Sequence, residues 1–208
     1  MSAVEDISPI TWEKPPYRTV RQCFEQHKGR LIDRWSHYFP IYERHFAKFV
    51  GRPIRLLEIG VGHGGSLQLW RAYFGEQVGI WGMDINPACA EYEEDGIYIS
   101  IGDQAKDCGW FVAAGINFDI IIDDGSHVPE HQSASFQALW PMVKPGGIYL
   151  IEDCHNGYPN LDDTIKSPME ALGYQYPWML VVEKPKRMVI GTPSRPLNPA
   201  ELEAYGPR

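Results

Sequence analysis

The sequence predicts an α/β fold: a Rossmann-like, doubly wound and mostly parallel sheet, with an N-terminal helical extension and a C-terminal antiparallel hairpin. Three observations carry this. Apolar runs of strand length, such as Ile120-Ile121-Ile122 and Ile148-Tyr149-Leu150-Ile151, recur between helical stretches, as the buried strands of a parallel sheet do. The run Leu56-Leu57-Glu58-Ile59 leads straight into the glycine-rich turn Gly60-Val61-Gly62-His63-Gly64-Gly65. Two acidic clusters, Asp123-Asp124-Gly125-Ser126-His127 and Glu152-Asp153, follow later runs, at the strand ends where open α/β sheets bind their ligands.

The elements follow in chain order. Residues 1–16 hold Pro9, Pro15 and Pro16 without a period and read as an irregular arm. From 17 to about 50 the pattern is helical, with Phe39, Tyr42, Phe46 and Phe49 spaced by three and four as a core-facing stripe. Gly51-Arg52-Pro53 ends that region. Strands are then expected at 54–59, 80–84, 97–101, 118–123 and 147–152, with helices at 66–73 and 129–142 between them, an alternation that implies parallel pairing with helices on both faces. A helical stretch over 162–172 precedes a hairpin of 178–183 with 188–190, and the tail from Thr192 carries Pro193, Pro196, Pro199 and Pro207. The expected division is an arm with helices at 1–52, a ligand-binding sheet domain at 53–191 and a proline-rich tail at 192–208.

Composition narrows the partners. A net charge of −8 over 208 residues argues against nucleic acid or an anionic membrane, both of which need a basic face. Cys23, Cys89, Cys108 and Cys154 lack zinc-type spacing and suit a reducing compartment. The start has no signal-peptide pattern and no run reaches membrane-spanning length. A cytoplasmic protein acting on small molecules is expected.

The acidic clusters gather three or four carboxylate oxygens, which suit a hard cation such as magnesium. The same residues also serve as helix caps and turn formers at strand ends. Gly60, Gly62 and Gly65 satisfy G-x-G-x-x-G, with Asp84 about twenty residues on as a ribose acid for a dinucleotide. Asp84 also reads as a turn residue ahead of Asn86-Pro87. Two features favour S-adenosylmethionine instead: Glu58 makes the turn E-x-G-x-G, and Gly102-Asp103-Gln104 follows the third strand, where Asp103 can accept from an adenine amine with Gln104 beside it. His127 is the candidate base, with His131 and His155 nearby.

Taken together, residues 57–66, Gly102-Asp103-Gln104, Ile122-Asp123-Asp124-Gly125-Ser126-His127 and Glu152-Asp153 resemble the metal-dependent class I S-adenosylmethionine O-methyltransferases of the mycinamicin, macrocin and rhamnosyl type, with the related cephalosporin hydroxylase-like proteins. The likeness runs from about Asp33 to Glu183. It implies a magnesium-assisted O-methyltransferase acting on a hydroxyl of a small molecule, such as a sugar or polyol of a natural product, in a homo-oligomer. It matches Asp124, Glu152 and Asp153 to the metal ligands, and His127 to the general base, with Asp124 as the other candidate. On the cofactor side it matches Glu58 and Gly60 to the methionine end, Asp84 to the ribose, and Asp103 and Gln104 to the adenine, with Gly62, Ser66 and Asp123 as further cofactor-binding residues. Ser36 and Tyr38 fall in a segment that folds over the cofactor in that family. One departure stands out: only about 25 residues separate Asp153 from Trp178, where the family carries a long insertion that helps build the sugar pocket. A catalytically silent cofactor-binding subunit and a dinucleotide-dependent oxidoreductase are the alternative readings.

Overall fold

The computed structural model describes residues 18–162, 164–165 and 171–185. The arm at 1–16, the outer hairpin strand at 188–190 and the tail from 192 lie outside them.

Seven strands form one sheet: β1 (Arg55–Ile59), β2 (Gly79–Asp84), β3 (Ile97–Ile101), β4 (Phe118–Asp123), β5 (Val143–Ile151), β6 (Leu172–Tyr176) and β7 (Met179–Glu183). Their order is β3-β2-β1-β4-β5-β7-β6. The first five pair in parallel, and β7 runs antiparallel to both β5 and β6. The chain winds outward from β1 in one direction and from β4 in the other. The gap between those two strands is therefore the switch point, where a crevice opens at the carboxyl ends.

Both faces of the sheet are covered, as its apolar strands require. Leu56, Ile80, Ile120, Ile122, Ile148 and Leu150 point to one face, against α1 (Val20–Gln26), α2 (Phe39–Phe46) and α3 (Gly65–Phe74). Leu57, Ile59, Ile121, Tyr149 and Ile151 point to the other, against α4 (Gly109–Ala113) and α5 (Pro129–Leu139). The expected aromatic stripe is in place: Phe39, Tyr42, Phe46 and Phe49 are all buried, and Tyr42 meets Trp70 of α3 edge-on at 5.2 Å between ring centres.

Two expectations change. The helical stretch at 17–50 is broken: α1 ends at Gln26, residues 27–35 form no helix, and a 3-10 turn at Ser36–Tyr38 leads into α2. Gly29 and the lack of an apolar period in 27–35 account for the break. The hairpin also forms earlier than expected, from Leu172–Tyr176 with Met179–Glu183 about the turn Pro177-Trp178. Leu172, placed at the end of a helix by its sequence context, opens a strand. All four cysteines are buried free thiols. Among the described residues no helix is long and apolar enough to cross a membrane.

Candidate active site

A cleft of about 470 Å³ opens at the switch point. Its floor is the glycine turn after β1, its far wall the acidic ends of β4 and β5, and its near wall the segment Leu31–Trp35. Two glycines make this arrangement possible. Gly60 has φ +89°, and a Cβ there would lie 2.0 Å from the carbonyl oxygen of Asp124, so β1 can leave the sheet past β4 only at a glycine. At Gly65, the first residue of α3, a Cβ would lie 2.3 Å from the carbonyl oxygen of Leu31. The close seating of 27–35 on α3 therefore depends on that glycine.

The consequence of that seating is Arg34. Its side chain is 3% exposed, and its guanidinium lies among three carboxylates from three strand ends. It donates to Glu58 near the end of β1, to Asp124 after β4, and at 2.7 Å to Glu152 after β5. Burial works against its charge, but Asp124, Glu152, Tyr42 and Glu58 together more than offset this and hold it firmly protonated. The carboxylates pay for the enclosure in the opposite sense: burial raises Glu58, Asp124 and Glu152 above their ordinary range, and Arg34 opposes the rise in each. Glu152 is fully committed, since its second oxygen accepts from the Tyr42 hydroxyl at 2.8 Å. Nothing in the sequence pattern marked Arg34, which lies in an aperiodic stretch and resembles a solvated surface charge.

Beside this knot lies a second group. Asp124, His127 and Asp153 each offer a ligand atom within 4.8 Å of the others. His127 Nε2 is 3.8 Å from Asp153 Oδ2, and burial pushes its imidazole below the ordinary range, with Asp153 opposing the shift. Its Nδ1 is buried with no partner among the described residues. The two carboxylates, partly exposed and converging, suit a hard divalent cation, with the His127 imidazole beside them. Tyr38 braces the group: its hydroxyl donates to Asp153 Oδ1 at 2.7 Å and receives the Asp153 backbone N–H at 3.2 Å. The backbone is strained here, with φ +56° at His127 and +51° at Asp153, a conformation that Asp and His visit more readily than most residues.

The other expected residues divide into those at the cleft and those behind it. Gly60, Gly62, Ser66 and Asp84 line it. Ser66 spends its hydroxyl on Glu58 at 2.8 Å, and Asp84 Oδ2 accepts from the backbone N–H groups of Val61 and Gly62 at 2.9 and 3.0 Å. Asp103 and Gln104 border an adjoining hollow with Asp84, Gly102 and His131. Gln104 is buried and tied down: its amide donates to Asp123 at 3.0 Å while its oxygen accepts from the Ser126 N–H at 2.6 Å. Asp123, grouped with the cofactor side on sequence, does not reach the cleft. It is fully buried, and Gln104, Ser135 and Tyr149 take its oxygens, so it ties α5 to the sheet. Ser36 faces solvent, and its carbonyl accepts from Arg21 at 3.2 Å. The segment that covers the cleft is Leu31–Trp35, just ahead of Ser36 and Tyr38. His155 is exposed, 6.0 Å from His127 between ring centres.

No protein-family model matches the chain. It is 42% identical over 148 residues to the 8-demethyl-8-(2-methoxy-α-L-rhamnosyl)-tetracenomycin-C 3'-O-methyltransferase of Streptomyces olivaceus, a match covering 62% of this chain and 37% of that protein. It is 41% identical over 159 residues to the demethylmacrocin O-methyltransferase of Streptomyces fradiae, covering 69% and 40%. The chain thus spans about two fifths of the length of the curated relatives it matches. Among solved structures it superposes on the MycE methyltransferase of the mycinamycin biosynthetic pathway, in complex with Mg, S-adenosylhomocysteine (SAH) and mycinamycin VI. That superposition has a TM-score of 0.66 at 30% identity and covers 79% of this chain and 54% of MycE.

Proposed function

The chain is a homologue of the class I O-methyltransferases that modify sugars of macrolide and tetracenomycin natural products, and from that premise we propose that it transfers a methyl group from S-adenosylmethionine to a hydroxyl of a small sugar or polyol acceptor, assisted by magnesium. The observation that carries this reading is the convergence of Asp124, His127 and Asp153 beside the glycine turn. Curated relatives named for sugar O-methylation and a solved relative holding Mg and SAH support it.

The roles follow from position. The glycine turn would hold the cofactor, with Glu58 and Gly60 toward its methionine end, Asp84 at its ribose and Asp103 by the hollow that would take its adenine. Gln104 shapes that hollow by holding Ser126 in place. Asp124 and Asp153 would hold the cation, with Glu152, engaged by Arg34 and Tyr42, directly behind them. A magnesium ion bound there would polarise an acceptor hydroxyl and lower its pKa. His127 removes the proton at Nε2. Arg34 and Trp35 close the near wall over the reacting atoms and exclude water. The cytoplasm, with its reduced thiols, is the proposed setting, and a second copy of the chain is the proposed partner.

The test is metal dependence. Methyl transfer to a polyol should cease in chelator and return with magnesium. Asp153→Ala should abolish it while SAH still binds, because that carboxylate serves the ion and not the nucleotide. Full turnover in chelator would rule out metal assistance. Asp84→Ala should weaken SAH by about 1.5 to 3 kcal/mol, the worth of charge-assisted hydrogen bonds, or roughly tenfold or more in Kd. Calorimetry giving an unchanged Kd would take the ribose away from Asp84.

A further inference from the structure

Three residues other than glycine have positive φ among those described: His127, Asp153 and Trp178. The first two belong to the metal and base group. Trp178, at φ +61°, is the second central residue of the β6–β7 turn, after Pro177. Proline followed by a left-handed residue is the type II pattern, which calls for Gly or Asn at the second place. A bulky aromatic there is a true outlier. Such strain persists where surrounding contacts hold it, most often at binding sites.

The surroundings show what the strained residue is held against. Its carbonyl accepts from the Cys154 N–H at 2.9 Å and lies 3.2 Å from the Tyr38 hydroxyl, so the turn sits against the same tyrosine that braces Asp153. Its indole lies 5.6 Å from that of Trp35 and 5.6 Å from the His37 ring, between centres. Trp35 lines the cleft with His127 and Asp153. Both indoles nevertheless remain half open, at 53% for Trp35 and 44% for Trp178. A strained turn thus holds apolar rings partly in water at the mouth of a polar cleft, an arrangement that packing alone does not reward.

We propose that Trp35 and Trp178 form an aromatic shelf that receives the apolar C–H face of the acceptor's sugar ring and presents its hydroxyl edge to His127 and Asp153. The inference rests on the methyltransferase reading and adds to it a binding subsite for the acceptor's ring. Pyranose rings carry C–H groups on one face and hydroxyls at the rim, so a ring lying on indole buries its apolar side while the rim reaches polar groups nearby. The β6–β7 turn then supplies part of the acceptor pocket in a chain with only about 25 residues between Asp153 and Trp178.

The experiment titrates methyl α-L-rhamnopyranoside into the full chain holding SAH and magnesium, read by saturation-transfer NMR. Saturation should be greatest on the C–H face of the sugar. Trp178→Gly, which relieves the positive φ, should weaken the glycoside by about five- to tenfold, the effect of one lost ring contact. Its thermal midpoint should fall by no more than about 3 °C, its SAH affinity should be unchanged, and Trp178→Phe should restore most of the binding. Equal glycoside affinity in wild type and Trp178→Gly overturns the shelf. So does a parallel loss of SAH affinity and thermal midpoint in Trp178→Gly and Trp178→Phe, which marks a structural role, or a change of oligomeric state with glycoside binding intact, which marks a subunit contact. If wild type binds SAH and methylates a polyol but gives no saturation on the glycoside, the shelf fails and the methyltransferase reading stands. If SAH does not bind at all, that reading fails and the shelf with it.

Discussion

Arg34→Met is expected to destabilise the metal-free protein by about 3 to 5 kcal/mol, the usual result of removing one partner from a buried ion pair. The size follows from what is left behind. Glu58, Asp124 and Glu152 would face one another with no cation, two of them fully buried, and methionine fills the volume without supplying a charge. The loss should depend on pH in a definite direction. Burial already raises all three carboxyls above their unfolded values of about 4. Their proton binding therefore favours the folded state at low pH, and that contribution disappears as the pH rises through the folded values. Without Arg34 those values rise further, so the variant should be markedly less stable at pH 8 than at pH 5. Magnesium should recover more stability in the variant than in wild type, since it binds only the folded arrangement of carboxylates. Urea unfolding at the two pH values, with and without magnesium, measures all of this. A variant as stable as wild type at pH 8 without metal would show that the three carboxylates do not depend on Arg34.

Arg34 also marks the boundary of what the sequence makes legible. The strands could be read because a buried parallel strand is a local pattern: a short apolar run, then a turn residue. The residues at strand ends inherit that legibility, which is why Asp84, Asp124, Asp153 and the glycine turn fall at one crevice in the fold as they do in the sequence reading. Arg34 reaches the same crevice from a segment with no period, through a close approach at Gly65 that only tertiary packing defines. The sequence does contain the demand for it. Glu58, Asp124, Glu152 and Asp153 all end strands, and a core that encloses so many acids needs a cation. Which of the chain's basic residues answers that demand is a long-range fact, as is the commitment of Asp123 to Gln104 and Ser135. The hairpin's position is hidden in the sequence for a related reason. Its turn is Pro177-Trp178, and a tryptophan in the left-handed position hides a signal that glycine or asparagine would have shown.

His127→Asn should lower turnover by about 10² to 10⁴ at neutral pH, the range for loss of a positioned general base. Asparagine is the informative replacement because position 127 has φ +56°, which asparagine accepts with less strain than alanine does. A loss of rate then reports on the imidazole and not on the turn. Affinity for magnesium and SAH should change little, since Asp124 and Asp153 supply the charge and the glycine turn holds the nucleotide. If the metal were lost together with the rate, His127 would be a ligand and not the base. The pH profile separates this further. Burial lowers the His127 imidazole below its ordinary value of about 6.5, so the ring remains free to accept a proton in mildly acidic solution. Wild-type kcat should therefore hold steady as the pH falls through 6.5 and decline only below it, whereas the variant should show no such step. Wild-type turnover in His127→Asn would pass the proton to Asp124, a carboxylate that reaches the same point in the cleft.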